Sequence, residues 1–453
     1  MQIVADLHLH SRYSRAVSPQ MNLLENARWA SKKGIDLIST ADWTHPLWFR
    51  ELTTNLKETA PGIYQLKDQS DPFIREVSYL LSTEISTIYS QDGKTRRIHN
   101  LLCAPSLDAV DRLNKKLTAS GAKLLSDGRP IIGMSSKDLL ETALSVDPNF
   151  LLIPAHAWTP WYGIFGSMSG FNSLSQAFGP LAKYIYGIET GLSSDPAMNW
   201  QIKELDNRSI LSFSDAHSGP KIGREATVFV PKTNPNDQIP ISKISYSDIA
   251  NAIKQTADAK LKIGYTIEFF PEEGKYHWSG HRDCGIRYSP KEIKQKGTIC
   301  PVCKRTLTEG VESRVANIAG HDFSYDDFLY KKNNSGAMYV SDPEKKRPPF
   351  VSLIPLLEIL LEAHQNSPTK AKAAYENLTQ SIGAEFDILL KTPYDVLQSK
   401  AGELVATAIK IVRERQAIVD PGFDGVFGKV AIFKHEEKQK ETPVIESSQT
   451  TLF

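Results

Sequence analysis

The chain has few cysteines, no long apolar run and no excess of charge of one sign. Only four of its 453 residues are cysteine, and three of these (Cys284, Cys300 and Cys303) lie in one short region. Such crowding favours a reduced thiolate metal site over disulfides. The formal net charge is +1, so the chain is not a polycation and binding to nucleic acid would require a local basic patch.

The N-terminus lacks the features of a secretory leader. Asp6, His8 and His10 interrupt the only apolar stretch there, so no signal peptide is predicted. No segment of the sequence is long and apolar enough to cross a bilayer. These absences predict a cytoplasmic protein with no membrane partner.

Hydrophobic patterning divides the chain into four regions. Over residues 1–265, short β-like runs alternate with amphipathic helical patterns, which predicts an α/β domain with a largely parallel sheet or barrel. Residues 266–310 are predicted to form a compact Cys/His module, and residues 311–432 a helical C-terminal region. The polar composition of residues 433–453 predicts a mobile tail.

Side chains that can bind metals stand near the ends of the predicted strands. In parallel α/β barrels the active site forms at the carboxyl ends of the strands, so residues far apart in sequence converge there. A lone histidine on an apolar strand is usually a core residue, but a set at this many strands indicates a metal centre. The set comprises His8, His10, Glu84, His99, His156, Asp215 and His217.

The ligand types indicate the chemistry of this centre. Carboxylates combined with imidazoles suit Zn, Mn or Fe, and neighbouring ions of this kind can activate water and neutralise charge on a phosphoryl oxygen. No Ser-His-Asp pattern or Gly-rich phosphate loop competes convincingly, and GSMSG (residues 166–170) lacks the surroundings of a nucleophile elbow. Phosphoester hydrolysis is therefore the favoured reaction class.

A second metal site is predicted in the Cys/His module. His281 and Cys284 form H-x2-C, and Cys300 and Cys303 form C-x2-C fifteen residues later, the arrangement of a closed structural zinc site. His277 is an alternative to His281. Residues 274–310 carry eight Lys or Arg against three Asp or Glu, which indicates a surface for a phosphate backbone. The alternative interpretation is that the module is purely structural and its charged residues are only exposed to solvent.

The motifs of the first 265 residues resemble those of the polymerase and histidinol phosphatase (PHP) superfamily. The matching segments are HLH at residues 8–10, ADWTH at 41–45, STEIS at 82–86, RRIHN at 96–100, PAHAW at 154–158 and SDAHS at 214–218. The resemblance implies a distorted seven-stranded β/α barrel, similar to a TIM barrel, with two or three clustered divalent metals.

The resemblance also implies how the ligands are shared. One metal would take His8, His10, Glu84 and Asp215, and a second would share Glu84 and add His99 and His156. The third site departs from the pattern of the superfamily, because Trp43 stands where a histidine should follow Asp42 and the histidine expected soon after HxH is missing. His45 and His217 are the remaining candidates for that site.

Nearly the whole chain resembles the endonuclease Q family of DNA repair enzymes. Besides the metal motifs, the resemblance rests on YGIETGLSSDP at residues 186–196, GKYHWSGHRDCG at 274–285 and CPVCKR at 300–305. It implies a metal-dependent endonuclease, nucleoid-associated, that hydrolyses the phosphodiester 5′ of a deaminated base (uracil, hypoxanthine or xanthine) or an abasic site. The implied partner is damaged double-stranded or single-stranded DNA.

A segment after His156 has residues suited to this role. Trp158, Trp161, Tyr162 and Phe165 could stack on a base or wedge into a duplex, although aromatic loop residues are equally often ordinary packing. Lys221 and Arg224 are candidates for holding phosphate oxygens, with a surface salt bridge as the alternative.

Two other classes of function stay open at this point. A phosphatase acting on a small phosphomonoester would need only the barrel, which leaves the zinc module and the helical region without an evident use. A non-catalytic DNA-binding protein with a degenerate barrel conflicts with the retained ligands of the first two metal sites.

The final residues, QTTLF, resemble the peptide by which proteins bind the bacterial sliding clamp. In that pattern Gln449 is the polar anchor, and Leu452 and Phe453 enter an apolar pocket. A match to so short a pattern can arise by chance. Its place after a solvated linker in a predicted repair nuclease favours clamp binding.

Overall fold

The computed structural model of the protein describes residues 2–68, 71, 74–233, 240–323 and 325–433. Twenty strands are found in these residues. They are β1 (Ile3–Asp6), β2 (Leu37–Ser39), β3 (Leu56–Ala60), β4 (Ile63–Leu66), β5 (Ser78–Leu80), β6 (Ser82–Gln91), β7 (Lys94–Cys103), β8 (Ile131–Ile132), β9 (Leu151–Pro154), β10 (Gly187–Glu189), β11 (Ser209–Leu211), β12 (Ala226–Pro231), β13 (Leu261–Glu268), β14 (Ser279–His281), β15 (Ile286–Tyr288), β16 (Leu329–Lys332), β17 (Met338–Ser341), β18 (Phe350–Ser352), β19 (Ile418–Asp420) and β20 (Lys429–Ala431).

The α-helices of the same residues number fourteen, and short 3₁₀ turns occur between several of them. They are α1 (Leu23–Lys33), α2 (Pro46–Asn55), α3 (Leu107–Ala119), α4 (Ser136–Val146), α5 (Leu174–Phe178), α6 (Pro196–Asn199), α7 (Tyr246–Lys254), α8 (Pro290–Lys296), α9 (Val311–Ile318), α10 (Leu356–Ala363), α11 (Pro368–Ser381), α12 (Glu385–Leu390), α13 (Tyr394–Ala401) and α14 (Glu403–Arg413). None of the helices in these ranges has the length and apolar composition needed to cross a membrane.

Local sequence signals account for the helix that follows the first strand. The Asn22 side chain accepts a hydrogen bond from the Glu25 N–H and so caps the first turn of α1. Gly34 ends the helix in the left-handed conformation (φ 92°), which glycine adopts without a Cβ clash. Lys32 and Lys33 in the last turn complement the helix dipole.

The strands form one large mixed sheet and several smaller ones. The large sheet has ten strands in the order β16-β17-β18-β13-β12-β1-β2-β5-β4-β3. A four-stranded sheet follows the order β8-β6-β7-β9, and β10–β11, β14–β15 and β19–β20 form separate pairs. The α/β class is confirmed, but the strand pairings among the described residues do not close a seven-stranded barrel.

Antiparallel pairing explains why the sheet is not largely parallel as predicted. β1 pairs in parallel with β2 but antiparallel with β12, and β6 and β7 form an antiparallel hairpin of two ten-residue strands. The region predicted to be helical also contains β16, β17 and β18, which join the large sheet through the parallel pair β13–β18. The domain boundaries drawn from the sequence stay a prediction.

Alternation along β1 and the residues after it separates two hydrophobic clusters. Ile3, Ala5 and Leu7 are buried in the same cluster as the apolar residues of α7. Val4 packs against the other, larger cluster. The alternation ends shortly after the strand, since Leu9 is buried in the larger cluster, and His8 and His10 stand in this segment after β1.

Candidate metal centre

The metal-capable side chains reach one site from five segments of the chain. His8 and His10 follow β1, His156 follows β9, and Asp215 and His217 follow β11. Glu84 and His99 lie inside the hairpin strands β6 and β7, which corrects the expectation that each stands at a strand end. The candidate ligands therefore converge on one site, although they do not all come from the ends of strands.

Three groups of candidate ligands result, and they share members. In each group the ligand atoms lie within 4.8 Å of one another. The groups are His8, His10 and Glu84; His10, Asp215 and His217; and Glu84, His99 and His156. Because His10 and Glu84 each belong to two groups, the arrangement suits neighbouring ions held by shared ligands.

Glu84 is at the centre of the cluster. Its Oε1 lies 2.7 Å from His99 Nδ1 and 3.0 Å from His156 Nε2. Its Oε2 lies 3.4 Å from His10 Nε2 and 3.1 Å from a guanidinium nitrogen of Arg129. Glu84 is fully buried, so its charge acts in a medium with little solvent screening.

Asp215 completes the opposite side of the cluster. Its Oδ1 lies 3.0 Å from His10 Nε2 and 3.7 Å from His8 Nε2. The Nε2 atoms of both histidines and Asp215 Oδ1 are buried, and within the described ranges they make no well-aligned hydrogen bond. Buried polar atoms are normally satisfied, so these three atoms are consistent with binding a metal ion.

The electrostatics of the cluster also fit a cation. Burial works against protonation of His8, but the carboxylates of Glu189 and Asp215 outweigh it and raise the pKa of His8 well above its ordinary value. In contrast, burial lowers the pKa of His99 to about 4, which keeps its imidazole neutral and its lone pair available. The donor set of imidazoles and carboxylates suits a divalent metal such as Zn, Mn or Fe.

Two carboxylates orient the histidines after β1. Glu189, the last residue of β10, accepts hydrogen bonds from His8 Nδ1 (2.9 Å and 3.0 Å) and from the backbone N–H of His156 (2.8 Å). Asp42 Oδ1 lies 3.2 Å from His10 Nδ1. Both contacts direct the Nε2 atoms into the cluster, the usual arrangement around histidines that bind metals.

Glu189 and Arg129 were not among the residues predicted from the sequence. Glu189 is the last residue of a strand in the segment IYGIET. A carboxylate at a strand end was the pattern used for the other site residues, so Glu189 could have been predicted from the sequence. Arg129 stands in a loop before β8, where the sequence offers no comparable signal. Its proximity to Glu84 depends entirely on the tertiary fold.

Several site residues have unusual backbone conformations. Asp42, His156 and Asp215 have positive φ angles of 35°, 29° and 48°. Non-glycine residues in such conformations persist where the surrounding structure holds them, and they concentrate at functional sites. Gly191 permits the conformation at His156, because a Cβ on Gly191 would lie 2.4 Å from the His156 Cβ.

His45 is not brought into the candidate ligand groups. It precedes α2, and its ring stacks on Tyr13 with 4.5 Å between the centroids. The candidate group for a third metal consists of His10, Asp215 and His217. A ligand role for His45 stays a prediction that this geometry does not favour.

The cluster lies beside a cavity of about 590 Å³. His99, His156 and Asp215 contribute to its wall, together with the aromatic residues Trp161 and Tyr162. The predicted phosphate contacts Lys221 and Arg224 also line it. Lys221 pairs with Glu358, and Arg224 donates to the backbone carbonyl of Ser214 at 2.8 Å.

Two of the aromatic residues predicted to contact DNA belong instead to the core. Trp158 and Phe165 are fully buried, with 5.0 Å between their ring centroids. The Trp158 Nε1–H donates to the Asn199 side chain at 2.7 Å. The prediction that Trp158 and Phe165 contact DNA is therefore not supported, because the loop buries both side chains in the core. Trp161 and Tyr162 line the cavity.

The Cys/His module contains a separate candidate metal site. The ligand atoms of His281, Cys284, Cys300 and Cys303 lie within 4.8 Å of one another. Cys300 and Cys303 stand on a tight turn, closed by the Cys300 N–H to Arg305 carbonyl bond (2.8 Å). A set of one imidazole and three thiols is typical of structural zinc.

The alternative zinc ligand His277 lies outside this group. It is buried, and its Nε2 lies 3.7 Å from Glu312 Oε2. Of the two histidines left open by the sequence, the geometry therefore favours His281. The clamp-like residues Gln449, Leu452 and Phe453 lie outside the described residues.

The fold and these clusters define an α/β protein with a largely buried His/Asp/Glu cluster that could bind metal ions and a separate candidate His-Cys₃ site. No model of a known protein family matches the chain. The endonuclease PfuEndoQ of Pyrococcus furiosus, described as lesion-specific, has a similar solved structure (TM-score 0.77, 28% identity), covering 96% of this chain and 98% of that one. A structure of endonuclease Q with a 27-mer duplex substrate bearing an abasic lesion at the active site matches with a TM-score of 0.76 and 28% identity, covering 97% and 99% of the two chains.

Two curated proteins are also similar in sequence. YqxK of Bacillus subtilis is 26% identical over 443 residues, which is 95% of this chain and 99% of that protein. A protein of Methanocaldococcus jannaschii is 28% identical over 285 residues, which is 61% of this chain and only 31% of that protein. The structural similarities to endonuclease Q, at 28% identity over nearly the full length of both chains, support assignment of this chain to the endonuclease Q family.

Proposed function

We propose that the protein is a metal-dependent DNA repair endonuclease that hydrolyses the phosphodiester 5′ of a damaged nucleotide. The damage would be a deaminated base (uracil, hypoxanthine or xanthine) or an abasic site. The observation that carries the proposal is the ligand cluster beside a cavity whose wall includes aromatic and basic side chains. The similarity to endonuclease Q bound to a duplex with an abasic lesion supports this substrate class.

The proposed catalytic site assigns distinct tasks to the cluster. His8, His10, Glu84 and Asp215 would hold one metal, while His99 and His156 would share Glu84 to hold a second. When bound, such ions activate a water and neutralise charge on the phosphoryl oxygens.

The protein groups around the cluster would position the substrate. Arg224, whose guanidinium is held by the Ser214 carbonyl, stands on the cavity wall where a phosphate of the bound strand would lie. Trp161 and Tyr162 line the cavity and would stack on a nucleotide that leaves the duplex. His217, half-exposed at the edge of the cluster, is placed to bind a third metal or a phosphate oxygen.

The Cys/His module would bind zinc through four protein side chains and add DNA contacts through its excess of basic residues. With all four positions filled by protein, this ion would stabilise the module and take no part in the chemistry.

Matched substrates test the proposal. The protein is incubated with Mn or Mg and with duplexes that carry one uracil, hypoxanthine, xanthine or abasic site, an undamaged duplex and a generic phosphomonoester. We expect nicking on the 5′ side of the lesion and little hydrolysis of the other two substrates. Hydrolysis of the phosphomonoester alone would indicate a small-molecule phosphatase, and binding of damaged DNA without cleavage would indicate a non-catalytic protein.

The clamp-like residues Gln449, Leu452 and Phe453 support a second, separable proposal. They would bind a sliding clamp and bring the enzyme to newly copied DNA without altering its chemistry.

A further inference from the structure

The loop between β19 and β20 presents an aromatic side chain at the mouth of the cavity. Phe427 is 63% exposed, yet it lines the same cavity as His99 and His156. A phenyl ring held in solvent at the wall of a candidate active site is available to pack against a bound substrate.

The backbone around Phe427 is fixed on one side by residues 272–275. Three backbone hydrogen bonds join the two segments: Gly422 N–H to the Glu272 carbonyl (2.8 Å), Gly425 N–H to the Lys275 carbonyl (2.9 Å) and Gly428 N–H to the Glu273 carbonyl (3.0 Å). The approach is close enough that a Cβ on Gly428 would lie 2.1 Å from the Glu272 carbonyl oxygen. Exposure of Phe427 is therefore not a result of a loose loop.

The other side of the loop is fastened to the Cys/His module. The Asp424 carboxylate accepts hydrogen bonds from the Arg282 N–H (2.8 Å) and the Thr308 hydroxyl (2.6 Å). The Trp278 N–H donates to the Gly422 carbonyl at 2.9 Å. The loop thus links the Cys/His module to the wall of the cavity. Its contacts with the module and with residues 272–275 together set the position of the phenyl ring.

We propose that Phe427 stacks on a base of the bound DNA, covering a base face exposed when the damaged nucleotide moves into the cavity. The inference rests on the proposed function. Extrusion of a nucleotide leaves the faces of its neighbours unstacked, and an aromatic ring can replace the lost contact. Lys275 Nζ lies over the Phe427 ring, 4.5 Å from its centroid, so a base would stack on the opposite face while the ammonium meets a nearby phosphate.

The test compares Phe427→Ala, Phe427→Leu and Phe427→Trp with the wild type and a matched control, Val426→Ala. Val426 is the preceding residue and is also exposed (42%), but it does not line the cavity. Single-turnover nicking of a duplex with an abasic site is measured over a range of protein concentrations. The base next to the lesion is 2-aminopurine, whose fluorescence rises when it is unstacked.

Loss of one base–aromatic stack predicts that Phe427→Ala raises the half-saturating protein concentration about ten-fold and brightens 2-aminopurine. Phe427→Leu should give a half-saturating concentration between those of the wild type and Phe427→Ala. Phe427→Trp should retain tight binding, and Val426→Ala should match the wild type. Affinity for undamaged duplex should be the same for all, and circular dichroism and zinc content verify the fold.

The two ways of failing are distinct. A wild-type protein that nicks no damaged duplex overturns the proposed function and this inference with it. Normal wild-type nicking, with unchanged half-saturation and fluorescence for Phe427→Ala, overturns the inference alone. If Phe427→Ala changes only the oligomeric state in sedimentation, the ring contacts a second copy of the chain and the inference is also wrong.

Discussion

Replacement of Glu189 by glutamine tests whether a residue outside the ligand cluster controls its affinity for metal. The carboxylate is fully buried and accepts hydrogen bonds from two donors, His8 Nδ1 and the His156 backbone N–H. Glutamine has nearly the same shape, but its amide nitrogen is a donor. Both carboxylate oxygens contact His8 Nδ1, and Oε2 also accepts from the His156 N–H, so the amide nitrogen of glutamine faces His8 Nδ1 in either orientation and weakens the hold on the His8 ring.

The expected loss follows from these contacts. Removing a group that orients a ligating histidine typically weakens metal binding about 10- to 100-fold, which corresponds to about 1.4–2.7 kcal/mol. A buried donor without a partner costs a similar amount, about 1–3 kcal/mol. Because Glu189 contacts two of the segments that supply candidate ligands, we expect Glu189→Gln to weaken metal binding toward the upper end of this range.

Mn²⁺ titration followed by the EPR signal of free Mn²⁺ measures this effect directly. Thiolates favour zinc over Mn²⁺, so the Cys/His module should not contribute to the titration. Nicking of a duplex with an abasic site, measured at increasing Mn²⁺, should show a matching shift in the metal concentration required. Excess Mn²⁺ should restore part of the activity, since Glu189 contacts no reacting atom in the proposed site.

Glu268→Gln is the matched control. Glu268 is also fully buried and accepts from the hydroxyls of Thr190 (3.1 Å) and Ser212 (3.0 Å), but it contacts no candidate ligand. Burial raises the pKa of Glu268 well above the ordinary value, which favours its neutral form, and glutamine is a close substitute for that form. Equal Mn²⁺ affinities for Glu189→Gln, Glu268→Gln and the wild type would refute the orienting role of Glu189.

Three further predictions address other parts of the molecule. Asp215→Asn should abolish strand cleavage with little loss of DNA binding in an anisotropy assay, because it removes a charge that the proposed ions need; near-normal cleavage would contradict the site. Cys300→Ser combined with Cys303→Ser should release one tightly held zinc, detected by elemental analysis, and unfold the module while the large sheet persists; unchanged zinc content would show that the ligands are wrong. A peptide of residues 446–453 should bind the sliding clamp in roughly the micromolar range, and Leu452→Ala with Phe453→Ala should eliminate binding while nicking of short duplexes is retained; equal affinities would exclude the motif.

Local patterns in the sequence were enough to predict the α/β class, many of the strands and most of the candidate ligands. A strand is recognisable from a short apolar run, and a histidine or carboxylate near it is visible without knowing the path of the chain. The His-Cys₃ site was predictable for the same reason, since its two pairs, His281 with Cys284 and Cys300 with Cys303, are local and separated by a short loop.

Contacts between distant segments were decided by the tertiary structure alone. Glu189 meets His8 across 181 residues, and Arg129 meets Glu84 from a loop with no motif. Whether an aromatic residue faces solvent depends on which segments cover it, so the pattern did not show that Trp158 is buried while Phe427 is exposed. Pairing of β18 with β13 likewise depends on the packing of the whole chain, because periodicity predicts that a strand forms but not which neighbour it joins.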